Sequence, residues 1–107
     1  MKNEIQNYLT FISDNYNKWY NNTDMSKVYA EERMKDFKET LKFEEGRVYV
    51  KVMTKNSVHT FIVKEDGPKF KKGDILKAAS WKAPAKNFAR GNVFSIDSYK
   101  YVSWAGA

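Results

Sequence analysis

The chain has 107 residues, enough for one domain with a modest core, and aromatic residues make up 16% of it. It has no cysteine, which excludes disulfides, thiolate zinc sites and a cysteine nucleophile and fits a reducing cytosol. The net charge is +6, and no apolar run approaches the roughly 18 residues of a membrane span.

Residues 3–20 predict an amphipathic helix. Ile5, Tyr8, Leu9, Ile12, Tyr16 and Trp19 recur at offsets of three or four and form one apolar stripe. Asn21, Asn22, Thr23 and Asp24 break the pattern, and Thr23 or Asp24 can cap a second helix over 25–37. Its apolar positions are Met25, Val28, Tyr29, Met34 and Phe37, and its mixed charges include an i,i+4 pair, Glu31 and Lys35. The period then becomes two. Residues 37–43 and 47–54 alternate around a turn at Glu44-Glu45-Gly46, which is a hairpin signal. In the second run Val48, Val50 and Val52 fall on one side, with Tyr49, Lys51 and Met53 on the other. Residues 58–64 predict a third strand and 75–79 a fourth. Glu65-Asp66-Gly67-Pro68 and Lys72-Gly73-Asp74 are turns. Residues 80–92 read as an ordered loop, and Val93-Phe94 with residues 99–104 as one or two closing strands. The expected fold is a single α+β domain spanning 1–107. Two N-terminal helices pack on a twisted antiparallel sheet of four to five strands, with a half-open barrel as the alternative.

Charge is distributed unevenly. Residues 1–46 carry seven Lys/Arg against nine Asp/Glu, whereas 47–63 carry three against none and 64–90 carry eight against three. A basic field confined to one half attracts anions without naming them. Within it, residues 77–92 (KAASWKAPAKNFARGN) hold four cations, a Trp and a Phe, and no acid. Such a stretch suits a ligand with phosphates and a flat ring. Trp81 either offers a stacking face or, with Phe88, plugs a small core, and Lys77, Lys82 and Lys86 are point charges for phosphate. Arg90 can bind two oxygens at once, Ser80 is a small polar donor, and Asn87 and Asn92 can read an amide-like or base edge. Pro84 stiffens the loop and lowers its ordering cost. These eight residues, Lys77, Ser80, Trp81, Lys82, Lys86, Asn87, Arg90 and Asn92, are the expected ligand-binding set.

Signatures of catalysis are missing. His59 is the only histidine and falls in a predicted strand, where cross-strand packing is the expected role. Gly73-Asp74 reads as turn chemistry, and the chain has neither GxxxxGK[ST] nor GxGxxG. The expectation is a protein that is not an enzyme and carries no catalytic residue, metal or cofactor.

Residues 70–94, FKKGDILKAASWKAPAKNFARGNVF, followed by 102–107, VSWAGA, resemble a group of small proteins encoded by tailed bacteriophages. Those share a GD-(I/V)-x-KAASWKAPA core, then RGN, then an aromatic-x-Gly. The match covers about the last third of the chain. The resemblance implies a phage origin and a protein that acts on the host from the host cytoplasm, and it carries over no catalytic residue. The resulting expectation is a counter-defence protein that holds a phosphate-bearing nucleotide signal in the basic Trp loop. Two alternatives stand beside it. One is a nucleic-acid-binding protein, with Tyr49, Lys51 and the loop forming a track. The other is an inhibitor that grips a host defence protein through an acidic helix face at Glu31, Glu32, Asp36 and Glu39. A homodimer is a further expectation, because a small domain with surface aromatics gains by burying them. No membrane partner is expected.

Overall fold

The computed structural model describes residues 2–21, 27–54, 57–95, 102–103 and 106. Two helices, α1 (Lys2–Asn21) and α2 (Lys27–Thr40), precede five strands: β1 (Lys42–Glu45), β2 (Tyr49–Thr54), β3 (Ser57–Val63), β4 (Asp74–Lys77) and β5 (Gly91–Asn92). The strands pair antiparallel in the order β1-β2-β3-β4-β5, so the sheet is an open meander and does not close into a barrel.

The helical stripe of α1 fixes one face of the sheet. Ile5, Tyr8 and Ile12 are buried in a cluster with Val50, Val52, Ile62, Ile75, Val93 and Val102. Each such aliphatic side chain contributes about 1.5–3 kcal/mol on full burial. Tyr16 continues the stripe, whereas Trp19, at its end, is exposed. Helix α2 joins through Phe37, whose ring stacks on that of Tyr16 at 4.0 Å and 9°. Of its other expected apolar positions, Met25 lies outside the described residues, as do the side chains of Val28, Tyr29 and Met34 and the Glu31 end of the Glu31–Lys35 pair. An i,i+4 pair is present one turn on, Lys35–Glu39 at 4.0 Å, fully on the surface.

The boundary between helix and sheet differs from the alternation at 37–43. Helix α2 runs to Thr40, and β1 begins at Lys42. Phe37 and Leu41 are four apart, a spacing that serves a strand face and a helix face equally. The Phe37–Tyr16 stack and the Leu41 N–H donating to the Phe37 carbonyl (3.0 Å) decide for helix. The β1–β2 turn correspondingly moves to 46–48, with the Gly46 N–H bonded to the Tyr49 carbonyl (2.8 Å). Val48 thereby leaves the strand and is 56% exposed, unlike Val50 and Val52. The expected strand at Val93-Phe94 is displaced too. The pairing residues are Gly91 and Asn92, opposite Ile75 and Asp74. Of residues 99–104, only Val102 and Ser103 lie among the described residues.

The opposite face of the sheet carries a second, smaller core. Phe61, Val63 and Leu76 are buried there under Tyr49, Val58, Phe70, Ala78 and Ala89. Strands β3 and β4 are therefore covered on both sides, which is why β3 shows an unbroken buried run rather than alternation. The segments that cover this second face are the two basic loops, 64–73 and 78–90.

Gly73 closes the first of these loops in the left-handed region, at φ +89°. A Cβ there would lie 2.6 Å from the Phe94 ring and 2.9 Å from Asn92 Oδ1. Gly73→Ala is expected to cost about 2 kcal/mol or more, from backbone strain and displacement of Phe94. Urea unfolding of the variant measures this as a lower midpoint at unchanged slope.

Candidate functional site

The loop after β4 is built by its own polar groups. The Ala79 and Ser80 N–H groups both donate to the Ala83 carbonyl (3.1 Å each). Ser80 Oγ accepts from the N–H groups of Lys82 (3.3 Å) and Ala83 (3.2 Å). Ala78 bridges to Pro84, and the Ala85 N–H reaches the Lys77 carbonyl at 2.7 Å. These bonds make a tight turn with buried Pro84 at its base and Trp81 at its tip, 52% exposed. The turn leans back over the sheet, and Lys51 of β2 places its Nζ 4.8 Å from the centroid of the Trp81 ring. A cation–π contact at this exposure contributes about 0.5–1 kcal/mol and fixes the ring's orientation.

Three open depressions run in a row across this face. The first, of about 310 Å³, is lined by Ser57, Val58, Ala78, Ala79, Ser80 and Trp81. The Trp81–Lys51 contact separates it from the second, of about 320 Å³, which Arg47, Tyr49, Lys51, Phe61 and Lys82 line. Val48 and Tyr49 are shared with the third, of about 280 Å³, lined also by Val63, Pro68, Lys69, Phe70 and Lys86. The second and third depressions together present five cations, Arg47, Lys51, Lys69, Lys82 and Lys86, against two carboxylates, Glu44 and Glu65. Lys69 bonds the Lys86 carbonyl and so links the two basic loops.

The eight expected ligand residues divide into two groups. Trp81, Lys82, Lys86 and Ser80 line the depressions, although both bonds described for the Ser80 hydroxyl serve the turn. Lys77 is exposed at the end of β4. Asn87, Arg90 and Asn92 line none of the three depressions. Asn92 is occupied structurally: its Nδ2 donates to the Lys72 carbonyl (3.0 Å) and Asp74 Oδ1 (2.9 Å), and its Oδ1 accepts from the Phe94 N–H (2.8 Å). Asp74 in turn accepts the Lys71 N–H through Oδ2 at 2.9 Å, so its carboxylate serves the turn. Asn87 Oδ1 accepts from the Phe88 N–H (2.9 Å) and from Arg90 Nη1 (3.4 Å).

Arg47 and Lys69 join the groove without having stood out in the sequence. They come from turns far from 77–92, and only the meander brings those turns alongside it. Tyr49 and Lys51 carry a readable signal. They alternate with the buried Val50 and Val52, so they must face the other side of the sheet.

His59 is away from the groove, in the buried layer between α1 and β3. The β2–β3 register slips between Val52↔Thr60 and Met53↔Val58, leaving His59 as the extra residue of a bulge. Adjacent strand side chains normally point to opposite faces; a bulge re-aims one of them. Here it brings His59 Nδ1 to 3.0 Å from Thr60 Oγ1, which is 2.7 Å from the buried Tyr8 hydroxyl. His59 Nε2–H donates to the Ser103 carbonyl at 2.7 Å, which leaves Nδ1 as the acceptor. Burial pushes the imidazole pKa down to about 4, against the smaller opposing effect of the Ser103 bond. Among the described residues no cluster of His, Cys, Asp and Glu is suited to a metal ion, and no helix is long and apolar enough to cross a membrane.

Fold and site together define an α+β protein with an open five-stranded meander, carrying a helix on one face and a basic, aromatic groove on the other. The chain belongs to the family of unknown function DUF7717, whose model matches residues 1–107. Comparison with curated proteins and with solved structures gives no match.

Proposed function

We propose that the protein binds single-stranded nucleic acid along the three depressions. Phosphates would lie against Arg47, Lys51, Lys69, Lys82 and Lys86, and bases against Trp81 and Tyr49. The observation that carries this reading is the row itself: cavities of about 310, 320 and 280 Å³, divided by Trp81–Lys51 and by Tyr49. Each alone is at the lower limit for a small-molecule site, about 300 Å³, and each is open, whereas a nucleotide pocket encloses most of its ligand. A ligand that spans them must be extended, phosphate-bearing and able to stack, which describes a single strand. A free nucleotide signal, the other phosphate-bearing ligand expected from the sequence, would use only one depression and fewer of the cations. The proposed setting is the cytoplasm of an infected host, a reading that rests on the resemblance of residues 70–94 to small phage proteins.

Fluorescence anisotropy with labelled 12-mers tests the reading. The single strand is expected to bind at least tenfold more tightly than its duplex or a mononucleotide. The slope of log K against log salt is expected near −3, since five cations release at most about 0.7 counterion each. No retention of single strand at 50 mM salt would remove the proposal. A mononucleotide binding as tightly as the 12-mer would instead favour the nucleotide signal.

A further inference from the structure

Arg90 is 9% exposed, and its guanidinium carbon lies over the Phe88 ring, 3.7 Å from the centroid. Nη1 donates to the Phe88 carbonyl (3.0 Å) and to Asn87 Oδ1 (3.4 Å). Among the described residues no carboxylate is within ion-pair reach of it, and both of its hydrogen bonds leave from Nη1, none from Nε or Nη2. No buried side-chain nitrogen among the described residues lacks a partner, so Nε and Nη2 both still touch solvent. A cation this buried without a counter-charge is costly. A surface arginine avoids that cost by turning its head outward, but Arg90 is held by the stack and by the two Nη1 bonds. What remains open is the Nε/Nη2 edge, the two-pronged side that matches two oxygens of one anion.

We propose that Arg90 is an oxyanion-binding site separate from the groove, with Phe88 and Asn87 holding its guanidinium so that Nε and Nη2 receive a phosphate or carboxylate side-on. The fork is pre-ordered, so little side-chain entropy is lost on binding. Lys77, Lys82 and Lys86, on exposed stems, have no such advantage. The inference does not depend on the groove: Arg90 lines none of the three depressions.

The test uses inorganic phosphate, with acetate as a second arm and sodium chloride at matched ionic strength as the reference. In the wild-type protein the Arg90 Nε–Hε resonance is expected to shift saturably with phosphate or acetate and not with chloride. Whichever anion moves it identifies the chemistry. Phosphate tenfold above its dissociation constant is expected to raise the thermal midpoint by about 6 °C. Arg90→Lys keeps the charge and loses the fork, so the increment should vanish, whereas Trp81→Ala should retain it. An Nε–Hε resonance unmoved by both anions, or equal increments in wild type and Arg90→Lys, overturns the proposal.

Discussion

Trp81→Ala is expected to weaken single-strand binding by roughly 5- to 150-fold while leaving the fold intact. The magnitude is the stacking contribution of one base on an aromatic platform, about 1–3 kcal/mol. The fold survives because Trp81 is half exposed at the tip of a turn held by backbone and Ser80 bonds. What the protein loses is the Lys51 contact, about 0.5–1 kcal/mol. A thermal midpoint within a few degrees of wild type, together with the lost affinity, separates a platform from a core plug. Trp81→Phe should recover part of the affinity, since a smaller ring still stacks. If Trp81→Ala binds a 12-mer as tightly as wild type, the loop is not the platform and the proposed function loses its main support.

The second large effect concerns stability and pH. His59 is buried as neutral imidazole, with its pKa lowered to about 4 from 6.5. The folded protein therefore refuses a proton that the unfolded chain accepts once pH falls below 6.5. Stability from this residue is fully present above pH 6.5 and drains away as pH falls towards 4. The loss amounts to about 3 kcal/mol over that window. Acid groups contribute their own pH dependence, so the measurement is a difference. Wild type and His59→Gln are unfolded in urea at pH 7.5, 6, 5 and 4. The stability advantage of wild type is expected to shrink by about 3 kcal/mol between the first and last. A constant difference would mean that His59 takes up its proton in the folded state as readily as in the unfolded chain. The residue links α1, β3 and the segment at Ser103, through Tyr8, Thr60 and the Nε2 bond. Protonation should therefore loosen hydrogen-exchange protection at Thr60 and Ser103 first.

The two helices and the meander were readable because each rests on a local period. The stripe Ile5, Tyr8, Ile12 and Tyr16 specifies α1 without reference to anything else. The alternation of Val50 and Val52 with Tyr49 and Lys51 specifies both that β2 is a strand and that it has two different faces. Legibility failed where two periods coincide. Phe37 and Leu41 fit helix and strand alike, and only the Tyr16 ring chooses between them. It failed again at Val93-Phe94, because a two-residue strand leaves no periodic trace, and its position follows from pairing with β4.

The candidate site was legible as a composition but not as a constellation. The cations and the Trp of residues 77–92 marked the basic loop, yet nothing along the chain distinguishes Lys82, which faces the groove, from Asn92, whose side chain is spent on Lys72, Asp74 and Phe94. Nor does the sequence reveal that Arg90 folds back on Phe88 while Arg47, forty-three positions earlier, joins Lys82 at one depression.

By itself, then, the sequence determined the class of the fold, the charge asymmetry, the absence of thiol chemistry and the loop in which a basic, aromatic surface would be found. These depend on composition and on neighbours within about four residues. Only the tertiary structure decided which face of the sheet that loop covers, which side chains it leaves to solvent, and which distant turns complete the groove. Those outcomes depend on burial: once α1 occupies one face, the second core of Phe61, Val63 and Leu76 must be covered by the loops, and that covering aligns Trp81, Lys51 and Tyr49 in one row.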